Sequence, residues 1–265
     1  MGLAIILEKV TDPYERKARL WPALLAMFPL VAMFELLYGA KVSILTNTAM
    51  LATSCGGLYL LTNVCRELGK RLESTLYASW GGKPTTQLLR HRDDTIEIVT
   101  KRRYHIFLSG KINEPFPDQE QEARNPQAAD EIYQSAVRWL LNHTRDTKRF
   151  DLLLKENVAC GFRRNALGLK LFGVPISLAS LGWALFTHDV VSGSEKYFIS
   201  GTALMSLPAT ALVSIAASTI MLAAWISFFT KASVKSAAFT YAETLLSACD
   251  VLGGGGTPSS SGPPA

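Results

Sequence analysis

The chain has 265 residues, of which 48% are hydrophobic and only 18% charged, below the roughly one quarter of charged residues usual in soluble domains. The missing charge is concentrated in four windows: 20–37, interrupted only by Glu35, then 42–64, 171–187 and 197–230. About 20 apolar residues cross a bilayer core as a helix, and a soluble bundle would keep a polar face that these windows lack. The composition therefore excludes an ordinary soluble domain and predicts an all-α, polytopic membrane protein, with four transmembrane helices in two hairpins and a helical cytoplasmic insert.

Lys and Arg number 27 against 22 Asp and Glu. With the N-terminus inside, 25 of the 27 fall on one side, and only Lys41 and Lys196 lie in the two short loops outside. This asymmetry predicts an inner-membrane protein with both termini and the middle segment in the cytoplasm. The net charge of +5 then accompanies insertion and attraction to anionic lipid, and no nucleic-acid partner is expected. No cleavage pattern precedes the first window, so it is expected to be retained. Cys55, Cys65, Cys160 and Cys249 form neither a CxxC nor a metal spacing and are expected to be reduced packing residues.

In chain order, a cytoplasmic segment at 1–19 precedes the first hairpin at 20–65. The second span is expected to continue inward as an amphipathic stalk, because Val64, Leu68, Leu72, Leu76 and Trp80 recur every four residues among charges. Gly81, Gly82 and Pro84 end it. The G-G-K-P-T-T run there lacks the upstream glycine and preceding strand of a phosphate loop and reads as a turn. Over the cytoplasmic region 66–165, Asp94 or Thr95 is predicted to cap a helix carrying Ile96, Val99 and Tyr104 and closing near Gly110. Asn125 followed by Pro126 starts another, carrying Ile132, Val137, Leu140 and Leu141. Phe150, Leu153, Leu154 and Val158 lead into the second hairpin at 166–230, where Pro208 is expected to kink the last span and its embedded part to start near Gly201 or later. A C-terminal segment at 231–252, with a helix over 237–248, precedes a flexible Gly-, Ser- and Pro-rich end at 253–265.

Two basic runs carry the candidate ligand site: Arg90, Arg92, Lys101, Arg102 and Arg103 form a cluster able to receive a phosphorylated signal such as a nucleotide, against the plainer reading of solvated helix faces or headgroup contacts. His91 and His105 lack a companion ligand set, so no metal and no cofactor is expected. Along the last span Thr202, Ser206, Thr210, Ser214 and Ser218 recur every four residues, a stripe suited to helix packing or to a pore lining. Glu35, the one carboxylate near a span, pairs in this reading with Lys41 at the interface. At the junction with the third span, Arg163, Arg164 and Lys170 are expected to anchor at headgroups, and Gly168, Gly173 and Pro175 to form a kinked coupling hinge.

Arg138 and His143, in R-W-L-L-N-H, resemble the R-x4-H motif of HEPN ribonucleases in its two key residues. That resemblance implies RNA phosphodiester chemistry, but Trp139 stands where the family has a polar residue, and a structural helix is the competing reading. The whole layout, over about residues 1–250, is similar to that of membrane effectors of bacterial anti-phage systems. This likeness implies a homo-oligomer in the lipid bilayer that receives a cytoplasmic protein or nucleotide signal and disturbs membrane integrity. The alternatives are an accessory subunit of a channel or transporter, and a membrane-tethered ribonuclease.

Overall fold

The computed structural model of the chain describes residues 13–38, 44–188 and 207–254, with the side chains of 13, 44–55 and 58 outside the description. Among the described residues the regular structure is helical throughout. Helix α1 (Trp21–Tyr38) continues from a helical turn at Pro13–Glu15 and a π-helical stretch at Arg16–Leu20, and is followed by α2 (Ile44–Trp80), α3 (Pro84–Gln87) and α4 (Ile98–Ile112). Then come α5 (Gln119–Arg124), α6 (Pro126–His143), α7 (Asp151–Thr187), α8 (Ala209–Ser227) and α9 (Lys231–Gly253). The described residues fall into two compact units, divided at 75/76, 157/158 and 235/236. All three divisions lie inside helices, in α2, α7 and α9.

Three helical stretches are long and apolar enough to cross a membrane: Arg16–Tyr38, Asp151–Thr187 and Ala209–Ser227. The remaining charge-free window, 42–64, falls largely in the first half of α2. In the first unit, α7 runs parallel to the N-terminal helix. Asn165 donates from Nδ2 to the Ala18 carbonyl at 2.8 Å near one end, and the Trp183 indole donates to the Tyr38 hydroxyl at 2.9 Å near the other. Helix α8 runs antiparallel to α7: Lys170 donates to the carbonyls of Ile226 and Phe229, each at 3.3 Å, and Gly173, further along α7, lies against Trp225, earlier on α8. Helix α2 is also antiparallel to α7, with Gly168 against Leu68 and Gly69 and an ion pair between Arg164 and Glu73.

Small residues take much of the interior of this unit, around a core of Leu169, Met221, Trp225 and Phe229. Ala23 and Ala26 of α1, Ala166, Ser177, Ser180 and Ala184 of α7, and Ala211, Ser214 and Ser218 of α8 are all buried. Many large apolar side chains point the other way: Phe28, Leu171, Trp183, Phe186, Val213, Ile220 and Phe228 are exposed. A soluble bundle sorts its residues in the opposite sense. Small residues inside and large aliphatics outside suit helices that gain nothing from hiding leucine from lipid and gain dispersion contacts from close backbone approach.

Several expectations need correction. Helix α7 is continuous from Asp151 to Thr187 with Pro175 inside it, so the expected hinge is not a break between helices. Gly168 and Gly173 serve as notches, since a Cβ on Gly168 would meet the Gly69 nitrogen at 3.0 Å and one on Gly173 would run into the Trp225 indole. Pro208 does not kink a span; it sits in extended conformation at the N-cap of α8, where its missing N–H costs nothing. Helix α4 begins at Ile98, later than a cap at Asp94 or Thr95, because Asp93 accepts from the Thr95 N–H and closes a local turn. It ends at Asn113, in left-handed conformation with φ 54°, and not at Gly110. The helix expected over 237–248 spans Lys231–Gly253. The Lys41 loop, Lys196, Gly201 and the tail beyond 254 lie outside the described residues.

Overpacking a filled contact costs about 1–3 kcal/mol. Gly173→Leu is therefore expected to lower the thermal midpoint of the purified protein in detergent and to broaden its size-exclusion peak. Gly182→Leu, which faces open space, is expected to leave both unchanged.

Candidate functional site

The second unit is organised around a segment, 81–97, that has only one short helix of its own. Helix α2 ends where Gly81 and Gly82 take φ of 86° and 129°, conformations that disfavour a side chain. A Cβ on Gly82 would also lie 2.9 Å from the Arg90 guanidinium. Arg90 itself is nearly buried: its Nε and Nη2 donate to both carboxylate oxygens of Asp130 at 2.8 and 2.6 Å, and its Nη1 donates to the Gly81 carbonyl at 2.9 Å. The fork geometry joins α6 to the turn, and the Asp130 bond holds the Arg90 pKa above its usual value.

Buried side chains from three further positions complete this latch. Lys101 of α4 donates to the carbonyls of Arg90, at 2.8 Å, and Asp93, and burial lowers its pKa. His105 bonds the Leu89 carbonyl at 2.7 Å through Nε2, which must carry the proton because a carbonyl only accepts. Glu122 of α5 accepts from the His91 N–H at 2.9 Å and from the Tyr133 hydroxyl at 2.8 Å. Backbone groups that no helix satisfies are thus satisfied by side chains, as buried polar groups require. The rings of His91 and Phe116 pack on His105, with centroids 5.0 and 4.9 Å away.

This geometry changes the reading of the basic cluster. Arg90 and Lys101 are engaged inside the fold, and Arg103 forks onto Asp250 of α9 at 2.8 and 3.0 Å. Arg92 and Arg102 are exposed and have no hydrogen-bond partner among the described residues. The five cations are not gathered into one phosphate site, because the polar demands of the 81–97 backbone take two of them. His91 and His105 are adjacent, but ring nitrogens of both bond carbonyls, of Pro117 and Leu89, and the described residues hold no group of three or more metal-ligating side chains.

Arg138 and His143 both lie on α6, where a five-residue offset separates side chains by about 140° around the axis. His143 stacks on Trp139 with centroids 3.8 Å apart and bonds its carbonyl at 2.8 Å. One chain therefore does not converge the two residues. Of the hydroxyl stripe, Ser214 and Ser218 are buried, Thr210 is exposed, and Thr202 and Ser206 lie outside the described residues. The hydroxyls of Ser180, Ser214 and Ser218 are closed off, with no hydrogen-bond partner among the described residues. Arg163 donates to the Ser233 carbonyl at 3.3 Å. With Arg164 on Glu73 and Lys170 on the end of α8, the three cations brace helices of the first unit to one another. Lys170 occupies the C-terminal end of α8, where unpaired carbonyls attract a cation.

Sequence reasoning did not single out Asp130, Glu122, Glu73, Asn165, Asp250 or Trp225. The available signal was a carboxylate or amide standing in an otherwise apolar helix pattern, as with Asn165 directly after Arg164. The chain matches no known family, no curated protein and no solved structure.

Burial holds the His105 pKa down to about 4, against an ordinary value of 6.5. Below pH 6.5 the unfolded chain therefore binds a proton that the folded one refuses, and stability falls on acidification by up to about 1.4 kcal/mol per pH unit until pH 4. The thermal midpoint of the full chain in detergent is expected to fall across that window. His105→Gln keeps a donor for Leu89 and removes the titration, so its profile should be flatter; equal slopes would show that His105 is not buried neutral.

Proposed function

We propose that the protein is an integral membrane effector with four spans, formed by α1, the first half of α2, the second half of α7, and α8. Both termini and the second unit face the cytoplasm of an inner membrane, in keeping with the distribution of Lys and Arg. The effector couples a cytoplasmic signal to the packing of its spans and, by oligomerising, permeabilises the bilayer, as membrane effectors of anti-phage defence do.

The observation that carries this reading is the surface of the first unit, where Phe28, Trp183, Phe186 and Phe228 are exposed while serine and alanine hold buried positions on α1, α7 and α8. Such a surface is stable in hydrocarbon and not in water. Coupling is supported by chain continuity, since α2, α7 and α9 each run through a division between the units. It is supported also by the braces of Arg164 on Glu73 and Lys170 on the end of α8, which tie α7 to α2 and to α8 within the first unit.

Induced expression with the neighbouring genes of the native locus, followed with a potential-sensitive dye during phage challenge, tests this function. Depolarisation and reduced phage yield are expected, and Lys170→Ala is expected to weaken both. Unchanged potential and unchanged phage growth would sink the effector reading. Co-purification with a larger transporter whose flux falls on deletion would replace it with an accessory role.

A further inference from the structure

Helix α4 is apolar on two sides. Tyr104 and Leu108 are buried within the second unit, yet Ile98, Val99 and Ile106 are 74%, 76% and 69% exposed. At 3.6 residues per turn, Ile98 and Ile106 lie within about 40° of Arg102 around the axis, and Val99 within about 60°. Arg102 is thus the centre of an aliphatic stripe, and it has no hydrogen-bond partner among the described residues. Arg103, at the edge of the stripe, is held by Asp250. Glu97 falls about 140° away from Arg102, so the stripe carries one positive charge and no carboxylate of its own helix.

We propose that this face of α4 docks on an anionic lipid surface, with Arg102 taking a headgroup phosphate and Ile98, Val99 and Ile106 lying in the interfacial region. The proposal rests on the reading that the first unit is embedded in a bilayer. The charge is complementary: a guanidinium rising from among aliphatics reaches a phosphodiester set above hydrocarbon, with its own stem lying along the apolar surface. A second copy fits badly, because two-fold pairing through this face sets Arg102 beside its own equivalent. Protein hot spots centre on tryptophan, tyrosine and arginine set in well-packed aromatic clusters, and around Arg102 the stripe offers aliphatic residues and no aromatic one. A bilayer held by the same chain also stands at high effective concentration.

The test places photoreactive p-benzoyl-phenylalanine at Val99 of the full chain in native membranes, with parallel insertions at exposed Leu178 of α7 and buried Leu108. After illumination, adducts at Val99 are expected to be anionic lipids such as phosphatidylglycerol. They should fall roughly five-fold in Arg102→Ala, the worth of one basic residue near an anionic surface. Lipid adducts at Leu178 with none at Val99 above the Leu108 background overturn the docking proposal and leave the membrane reading standing. So does a Val99 adduct to a second copy or to another protein. Absence of lipid adducts at both Leu178 and Val99 overturns the membrane reading and the docking proposal together.

Discussion

The arrangement of the first unit depends on the near contact of α7 with the backbones and rings of its neighbours. Gly168 lies against Gly69 and Leu68, Gly173 lies under Trp225, and a side chain at either position would push helices apart. Close approach of this kind replaces the hydrophobic effect as the adhesive between helices in lipid, where dispersion and short polar contacts do the joining. The small buried residues above these notches, Ser177, Ser180 and Ala184 on α7 and Ser214 and Ser218 on α8, continue the same seam. Beside Leu169, Met221, Trp225 and Phe229, which stay in the core, many large aliphatic and aromatic side chains, among them Leu171, Trp183, Phe186, Ile220 and Phe228, lie on the outside.

Toward one end of this seam polar side chains join the helices. Lys170 satisfies the last carbonyls of α8, the Asn165 amide reaches the Ala18 carbonyl, and Arg164 meets Glu73. The second unit follows a different physics. Its core buries large leucine and tyrosine residues, including Leu88, Leu108, Tyr133, Leu140 and Leu245. Its irregular 81–97 segment is held by a network in which every charge has a named partner. Arg90 and Lys101 therefore act as structural ties, and of the five cations of the candidate cluster Arg92 and Arg102 are left exposed and without a hydrogen-bond partner among the described residues.

The helical class, the apolar windows and the stalk were legible because charge depletion and four-residue periodicity are local properties of the sequence. So was the start of α6, where Asn125 caps and Pro126 follows. The roles of Arg90 and Lys101 were not legible, since both depend on groups far along the chain: Asp130, forty residues on, and backbone carbonyls freed by an irregular turn. Gly173 was misread for a related reason. A glycine in a span is compatible with bending or with contact, and only the position of Trp225, brought over by the antiparallel return of α8, decides between them.

Contacts of Arg163 with Ser233, Lys170 with Ile226 and Gly173 with Trp225 fix one antiparallel register, and that register carries Ser180 to the level of Ser218. Oxidative crosslinking of a Ser180→Cys, Ser218→Cys pair, in native membranes and with the four native cysteines replaced, tests the seam most directly. The account predicts a fast intramolecular disulfide for this pair and none for a Leu178→Cys, Ser218→Cys pair, whose first member points outward. Equal crosslinking of both pairs, or of neither, would contradict a small-residue seam between α7 and α8.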